Sequence, residues 1–149
     1  MKIKALTFDL DDTLWEVWPV VERAEALLHN WLMARYPRIP ARFSALELRE
    51  LCDEIAENQP GIAHDRTRLR KEALQLAAGR TGYAEFEVDA AFTVFFTARN
   101  AVEPFTEVRP TLERLARRYL LASLSNGNAD LRLIGLDDLF AFSLNAIDV

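Results

Sequence analysis

The apolar residues of this chain change their spacing twice, and that double change decides what it can fold into. Ile3 to Leu10 is apolar apart from Lys4, Thr7 and Asp9 and stops at an acidic cluster, Asp9, Asp11 and Asp12. It is too short for a core helix and reads as a buried strand. From Trp15 to about Glu103 the spacing becomes helical, with no strand alternation. At Pro104 the first character returns: Val108, Leu112, Leu115 and Tyr119 fall at helical spacing, and two apolar runs follow, Leu120 to Leu124 and Leu139 to Leu144. Strand-forming ends around a helical middle predict an α/β protein, with a Rossmann-like parallel sheet core formed by residues 1–14 and 104–149 and an inserted helical domain over 15–103.

The insertion divides into four helices. The first starts near Pro19, which a first helical turn tolerates, and carries Val20, Ala24, Leu27, Leu28 and Trp31 before Tyr36-Pro37 ends it. The second opens at Ser44, with Glu47 three residues on as a capping box, and runs until Pro60-Gly61. Ile62 to Ala78 and Ala84 to Ala101 supply the third and fourth, and short loops between amphipathic helices predict a four-helix bundle. Tyr83, Phe86, Phe92, Phe95 and Phe96 are expected in its interior. After the second core strand, a helical stretch from Ala129 to Ile134 is expected to stop at Gly135.

With 149 residues, half of them hydrophobic, the chain can bury a sizeable interior. Eighteen Lys and Arg against 23 Asp and Glu leave a formal charge of -5, which argues against nucleic acid or an anionic membrane as the main partner. The basic residues Arg114, Arg117 and Arg118 read as a solvated helix face. A single cysteine, Cys52, excludes an internal disulfide and a cysteine-rich zinc site, consistent with a cytoplasmic location, and is expected to pack in a core. No segment approaches the ~20 apolar residues of a membrane span.

Chemistry concentrates where the strands run out. Asp9 and Asp11 are two residues apart, so in an extended chain both project the same way from the carboxyl end of the first strand, where open α/β sheets bind ligands. Two such carboxylates repel and call for a cation; their hard oxygens suit Mg²⁺. With that charge neutralised, Asp9 can attack phosphorus and Asp11 can move protons. The second strand ends in Ser125-Asn126-Gly127-Asn128. There the Ser125 hydroxyl and the backbone N–H groups of Asn126 and Gly127 can hold a phosphate. In the insertion, His64, Thr67, Arg68 and Lys71 follow a helical spacing that gives them one polar face. That face serves either as a solvated surface with internal ion pairs or as a reader of substrate.

The D-x-D-x-T run Asp9 to Thr13, the later Ser125 and the helical block between them resemble the haloacid dehalogenase (HAD) superfamily of phosphohydrolases, over the whole chain. The resemblance implies a HAD core with a helical cap. It makes Asp9 the nucleophile and a metal ligand, Asp11 the general acid/base and a metal ligand through its carbonyl, and Thr13, Ser125, Asn126 and Gly127 substrate-binding residues. Asp12 stands where glycine is commoner. Haloacid dehalogenases proper lack the second acidic residue, so Asp11 favours a phosphatase. The stretches Leu6 to Leu14, His64 to Arg70 and Ser125 to Ala129 are similar to capped bacterial phosphatases of flavin biosynthesis, acting on FMN and phosphorylated ribitylaminouracil. By that likeness His64 and Arg68 read a small phosphorylated metabolite.

The same resemblance implies two further elements after the third strand, a lysine and an acidic pair, which the sequence does not contain before Val149. Asp137-Asp138 precedes that strand and reads as a loop feature. The expectation is therefore a truncated core whose first strand lies at a sheet edge, covered by a homodimer partner or another chain. A catalytically silent module of this kind and a phosphate-transferring mutase remain as alternatives to the hydrolase.

Overall fold

The computed structural model describes residues 2–148, which form two compact units. One joins the chain up to Val20 with the chain from Asn100; the other is Val21–Arg99. In the first unit, β1 (Ala5–Phe8), β2 (Leu120–Ser125) and β3 (Phe142–Asn145) make a parallel sheet in the order β1-β2-β3, so β1 is an edge strand among the described residues. Its register sets Phe8 beside Ser123 and Ser125 beside Asn145. Ala5 and Thr7 are exposed and Leu6 and Phe8 half-buried, so the buried strand expected from composition is only half met, as an edge position dictates.

One sheet face is packed. Leu6, Phe8 and Leu121 join Leu10, Leu14, Trp15, Val108 and Leu112 in a core beneath α6 (Val108–Ala116). The short α7 (Leu131–Ile134) adds Leu131 and is capped by Asp130, whose side chain accepts from the Arg132 N–H at 2.9 Å. This helix starts two residues later than expected, because Asp130 supplies the cap that Ala129 cannot. Gly135 stops it at φ 79°, the left-handed conformation a glycine reaches without a Cβ penalty. Asp137–Leu139 is a 3-10 turn held by Arg109, which reaches Asp138 and the Gly135 carbonyl, so β3 begins at Phe142 and not at Leu139.

The second unit holds α1 (Trp18–Arg35, from the unit boundary), α2 (Arg38–Arg42), α3 (Ala45–Asn58), α4 (Arg66–Arg80) and α5 (Val88–Arg99). The capping box is present: Ser44 Oγ accepts from the Glu47 N–H at 3.2 Å, and Glu47 Oε2 accepts from the Ser44 N–H at 2.7 Å. Phe92 and Phe95 are buried and Tyr83, Phe86 and Phe96 are partly buried against the same apolar cluster, as the aromatic spacing predicts; Cys52 is buried too. The five-residue α2 was not foreseen, since Pro37 and Pro40 inside so short a stretch read as loop. The helix expected over Ile62 to Ala78 is broken into a 3-10 turn at Pro60–Ile62 and α4, because Asp65 caps α4 by accepting from the Arg68 N–H at 2.9 Å. His64 therefore lies in the turn before α4 and not on its polar face. Among the described residues no helix is long and apolar enough to cross a membrane.

Candidate active site

Asp9 is the residue after the last residue of β1 and is exposed. Beyond it the chain folds into a tight turn in which the Leu10 carbonyl accepts from the N–H groups of Thr13 at 3.1 Å and Leu14 at 2.8 Å. Leu10 and Leu14 are buried in the sheet core and anchor that turn. The turn requires Asp12 to sit at φ 58°, which explains the glycine usual at such a position; Asp is among the few side chains that tolerate it. Its Oδ1 accepts from the Val17 N–H at 2.9 Å and so ties the turn to the approach of α1.

The same turn brings residue 15 back over residue 11. The indole Nε1–H of Trp15, a fully buried side chain, donates to Asp11 Oδ1 at 2.8 Å, and Asp11 itself is half-buried. Thr13 is exposed. Periodicity marked Trp15 only as the start of the insertion; its relation to Asp11 was legible solely as an i, i+4 spacing, which no unformed loop guarantees.

Ser125 closes β2 and is 5% exposed. Its Oγ accepts from the Gly127 N–H at 3.1 Å, so that N–H supports the serine, while the hydroxyl proton stays available to a ligand oxygen. Asn126 is exposed. Because Phe8 and Ser123 are register partners, Asp9 and Ser125 emerge at the same end of two adjacent strands. Asn145, which the sequence did not single out, ends β3 beside Ser125, and its buried Oδ1 has no hydrogen-bond partner. An acceptor left so at a strand end is a place for a ligand donor.

His64 and Arg68 belong to the other unit and are exposed. Arg68 Nε donates to Glu72 Oε1 at 2.8 Å, and Lys71 pairs with Asp89 at 2.8 Å, which is the ion-paired surface reading of this segment. The same helix also contributes Arg70 to a charge cluster, shared with α1 and α3, that sequence periodicity concealed. Glu25, 5% exposed, accepts from Arg49 at 3.1 and 2.5 Å and lies 3.5 Å from Arg70, whose guanidinium sits 3.8 Å from the Phe95 ring centroid. Burial lowers the proton affinity of Arg70, whereas the bond to Glu25 raises that of Arg49.

Among the described residues no group of three or more His, Cys, Asp or Glu side chains is placed to hold a metal. The donors at the end of β1 are oxygens of Asp9 and Asp11. That chemistry fits Mg²⁺, which is commonly held by one or two carboxylates and keeps several waters.

The sequence matches the haloacid dehalogenase-like hydrolase family over residues 3–149. It is 34% identical over 149 residues to 5-amino-6-(5-phospho-D-ribitylamino)uracil phosphatase YigB of Escherichia coli K12, covering 97% of this chain and 62% of that protein. Its fold superposes with a TM-score of 0.91 on the solved 2-haloacid dehalogenase of Pseudomonas syringae pv. tomato, at 40% identity over 99% of this chain and 65% of that one. L-2-haloacid dehalogenase from Xanthobacter autotrophicus shares the fold at 24% identity and a TM-score of 0.56. The chain thus spans between 57% and 65% of the length of these relatives. With a strand-end carboxylate pair, a serine closing the next strand and a family match along nearly its whole length, this chain belongs to the haloacid dehalogenase-like hydrolases.

Proposed function

We propose that the strand-end cluster hydrolyses a small phosphomonoester. A carboxylate oxygen of Asp9 attacks phosphorus, the ester P–O bond breaks, and Asp11 gives its proton to the departing alkoxide. Water then attacks the phosphorus of the acyl phosphate while Asp11 takes up its proton, which releases inorganic phosphate and restores Asp9. Ser125 donates its hydroxyl to a phosphate oxygen, and the exposed Thr13 and Asn126 are the further polar groups proposed to bind it. Asp9 and Asp11 would hold Mg²⁺, which lowers the charge repulsion between an anionic nucleophile and an anionic ester.

The observation that carries this reading is Asp11. An alkoxide needs a proton to leave and a halide does not, and the chain holds a carboxylate two residues after Asp9 on a buried donor. The substrate class takes support from the relative named as a phosphatase of a phosphoribitylamino-uracil. A flavin precursor or FMN is accordingly the proposed metabolite.

A dehalogenase is the second reading, favoured by the 40% identical solved structure of that name. One experiment separates the two. The chain and its Asp9→Asn variant are given p-nitrophenyl phosphate with Mg²⁺ and, separately, 2-chloropropionate. Asp9-dependent phosphate release supports the proposal; Asp9-dependent chloride release overturns it. If the folded chain releases neither, these residues do not suffice for the reaction.

A further inference from the structure

We propose that Trp15 is the positioning residue of the proton-transferring carboxylate: its indole N–H holds Asp11 in the orientation from which a proton reaches the leaving oxygen. The inference rests on the phosphomonoesterase reading above. Asp11 lies in the turn that follows β1, and Trp15 holds one of its carboxylate oxygens from the core. The ring is fully buried among Leu10, Leu14, Val108 and Leu112, so the donor cannot follow the carboxylate if the carboxylate rotates. The 2.8 Å bond therefore pins Oδ1 to the packed core and sets the carboxylate plane.

The turn makes this arrangement specific to these positions. Leu10 accepts from both Thr13 and Leu14, Asp12 adopts its left-handed conformation, and a bridge joins Asp11 to Trp15. A buried indole N–H needs some acceptor whatever the function. Here the acceptor it uses is the group on which proton transfer depends, and a partial misalignment of a proton donor weakens transfer without unfolding the protein. Phenylalanine keeps the ring and removes only the donor.

The test uses leaving groups that differ in their need for a proton. The chain and its Trp15→Phe, Asp11→Asn and double variants are compared on glycerol 2-phosphate, whose alkoxide needs protonation, and on p-nitrophenyl phosphate, whose phenolate does not. Folding is checked by circular dichroism, and the Trp15 indole resonance in ¹⁵N–¹H spectra reports the bond. In Trp15→Phe, kcat/KM for glycerol 2-phosphate should fall about tenfold, and that for p-nitrophenyl phosphate should stay within about threefold. In the Asp11→Asn background, Trp15→Phe should cost nothing further, because the two residues act as one unit. Equal losses on both substrates, or full additivity with Asp11→Asn, would show a merely structural tryptophan and overturn the assignment. Absence of Asp9-dependent turnover on p-nitrophenyl phosphate in the folded chain overturns the phosphatase reading instead, and the assignment falls with it.

Discussion

At the scale of single residues, two side chains separate what the loop requires from what the core requires. Asp12 occupies the left-handed region that costs a residue with a Cβ about 1–2 kcal/mol. Its own bond to the Val17 N–H is exposed and offsets only part of that. Asp12→Gly is therefore expected to leave stability within about 1 kcal/mol of the parent, and Asp12→Val to lower it by about 2 kcal/mol in urea unfolding. Glu25 presents the opposite case. It is nearly inaccessible and faces two guanidinium groups, so Glu25→Ala leaves the largely shielded Arg70 without its carboxylate. The expected loss is about 3 kcal/mol, and a Glu25→Met/Arg70→Met pair should recover much of it, since a packed apolar pair is often no worse than a buried ion pair. If Glu25→Ala melts like the parent, the cluster is a surface network after all.

Among the elements, α3 is the one whose start was fully legible. Ser44 and Glu47 are three residues apart before Leu48, and both bonds of the capping box form. Ser44→Ala should cost about 1 kcal/mol. The two bonds from Ser44 hold the Glu47 carboxyl below its ordinary value. A depressed carboxylate stabilises the fold above its unfolded value and loses that contribution as pH falls through the folded one. The stability difference between the parent and Glu47→Gln should hence be present at neutral pH and vanish on acidification below the usual carboxylate range. A difference that grew on acidification would contradict the capping assignment. The strands and the aromatic interior were readable for the same kind of reason, because period and breakers are local properties. What was hidden depended on partners far along the chain or on which of two residues caps. Asp65 cut α4 away from His64, Pro37 and Pro40 masked α2, and the Glu25 cluster joins three helices whose charged residues each look solvated. At the candidate site, Asp9, Asp11 and Ser125 were visible as residue types at strand ends, whereas Trp15 and Asn145 needed the turn and the register.

At the scale of the whole molecule, the chain carries two unequal cores. Among the described residues the helical unit buries 18 in its apolar cluster and the sheet unit nine. Parallel register places Leu120, Leu124 and Phe142 on the same sheet face, opposite the one carrying Leu121, and they remain 48%, 53% and 50% exposed. A parallel sheet is ordinarily covered on both faces, so this one forgoes part of the burial that would stabilise it. The sheet unit is accordingly expected to unfold first, giving two calorimetric transitions, and residues 18–99 alone should retain the upper one. The apolar face and the edge of β1, unpaired among the described residues, also lead us to propose self-association, since both features favour addition of a further surface. Sedimentation velocity across a hundredfold concentration range should show mass rising with concentration, and the Leu124→Lys/Phe142→Lys pair should hold the chain monomeric without shifting the upper transition. A parent chain that stays monomeric throughout and melts in one sharp step would mean that the sheet face is stable in water as it stands.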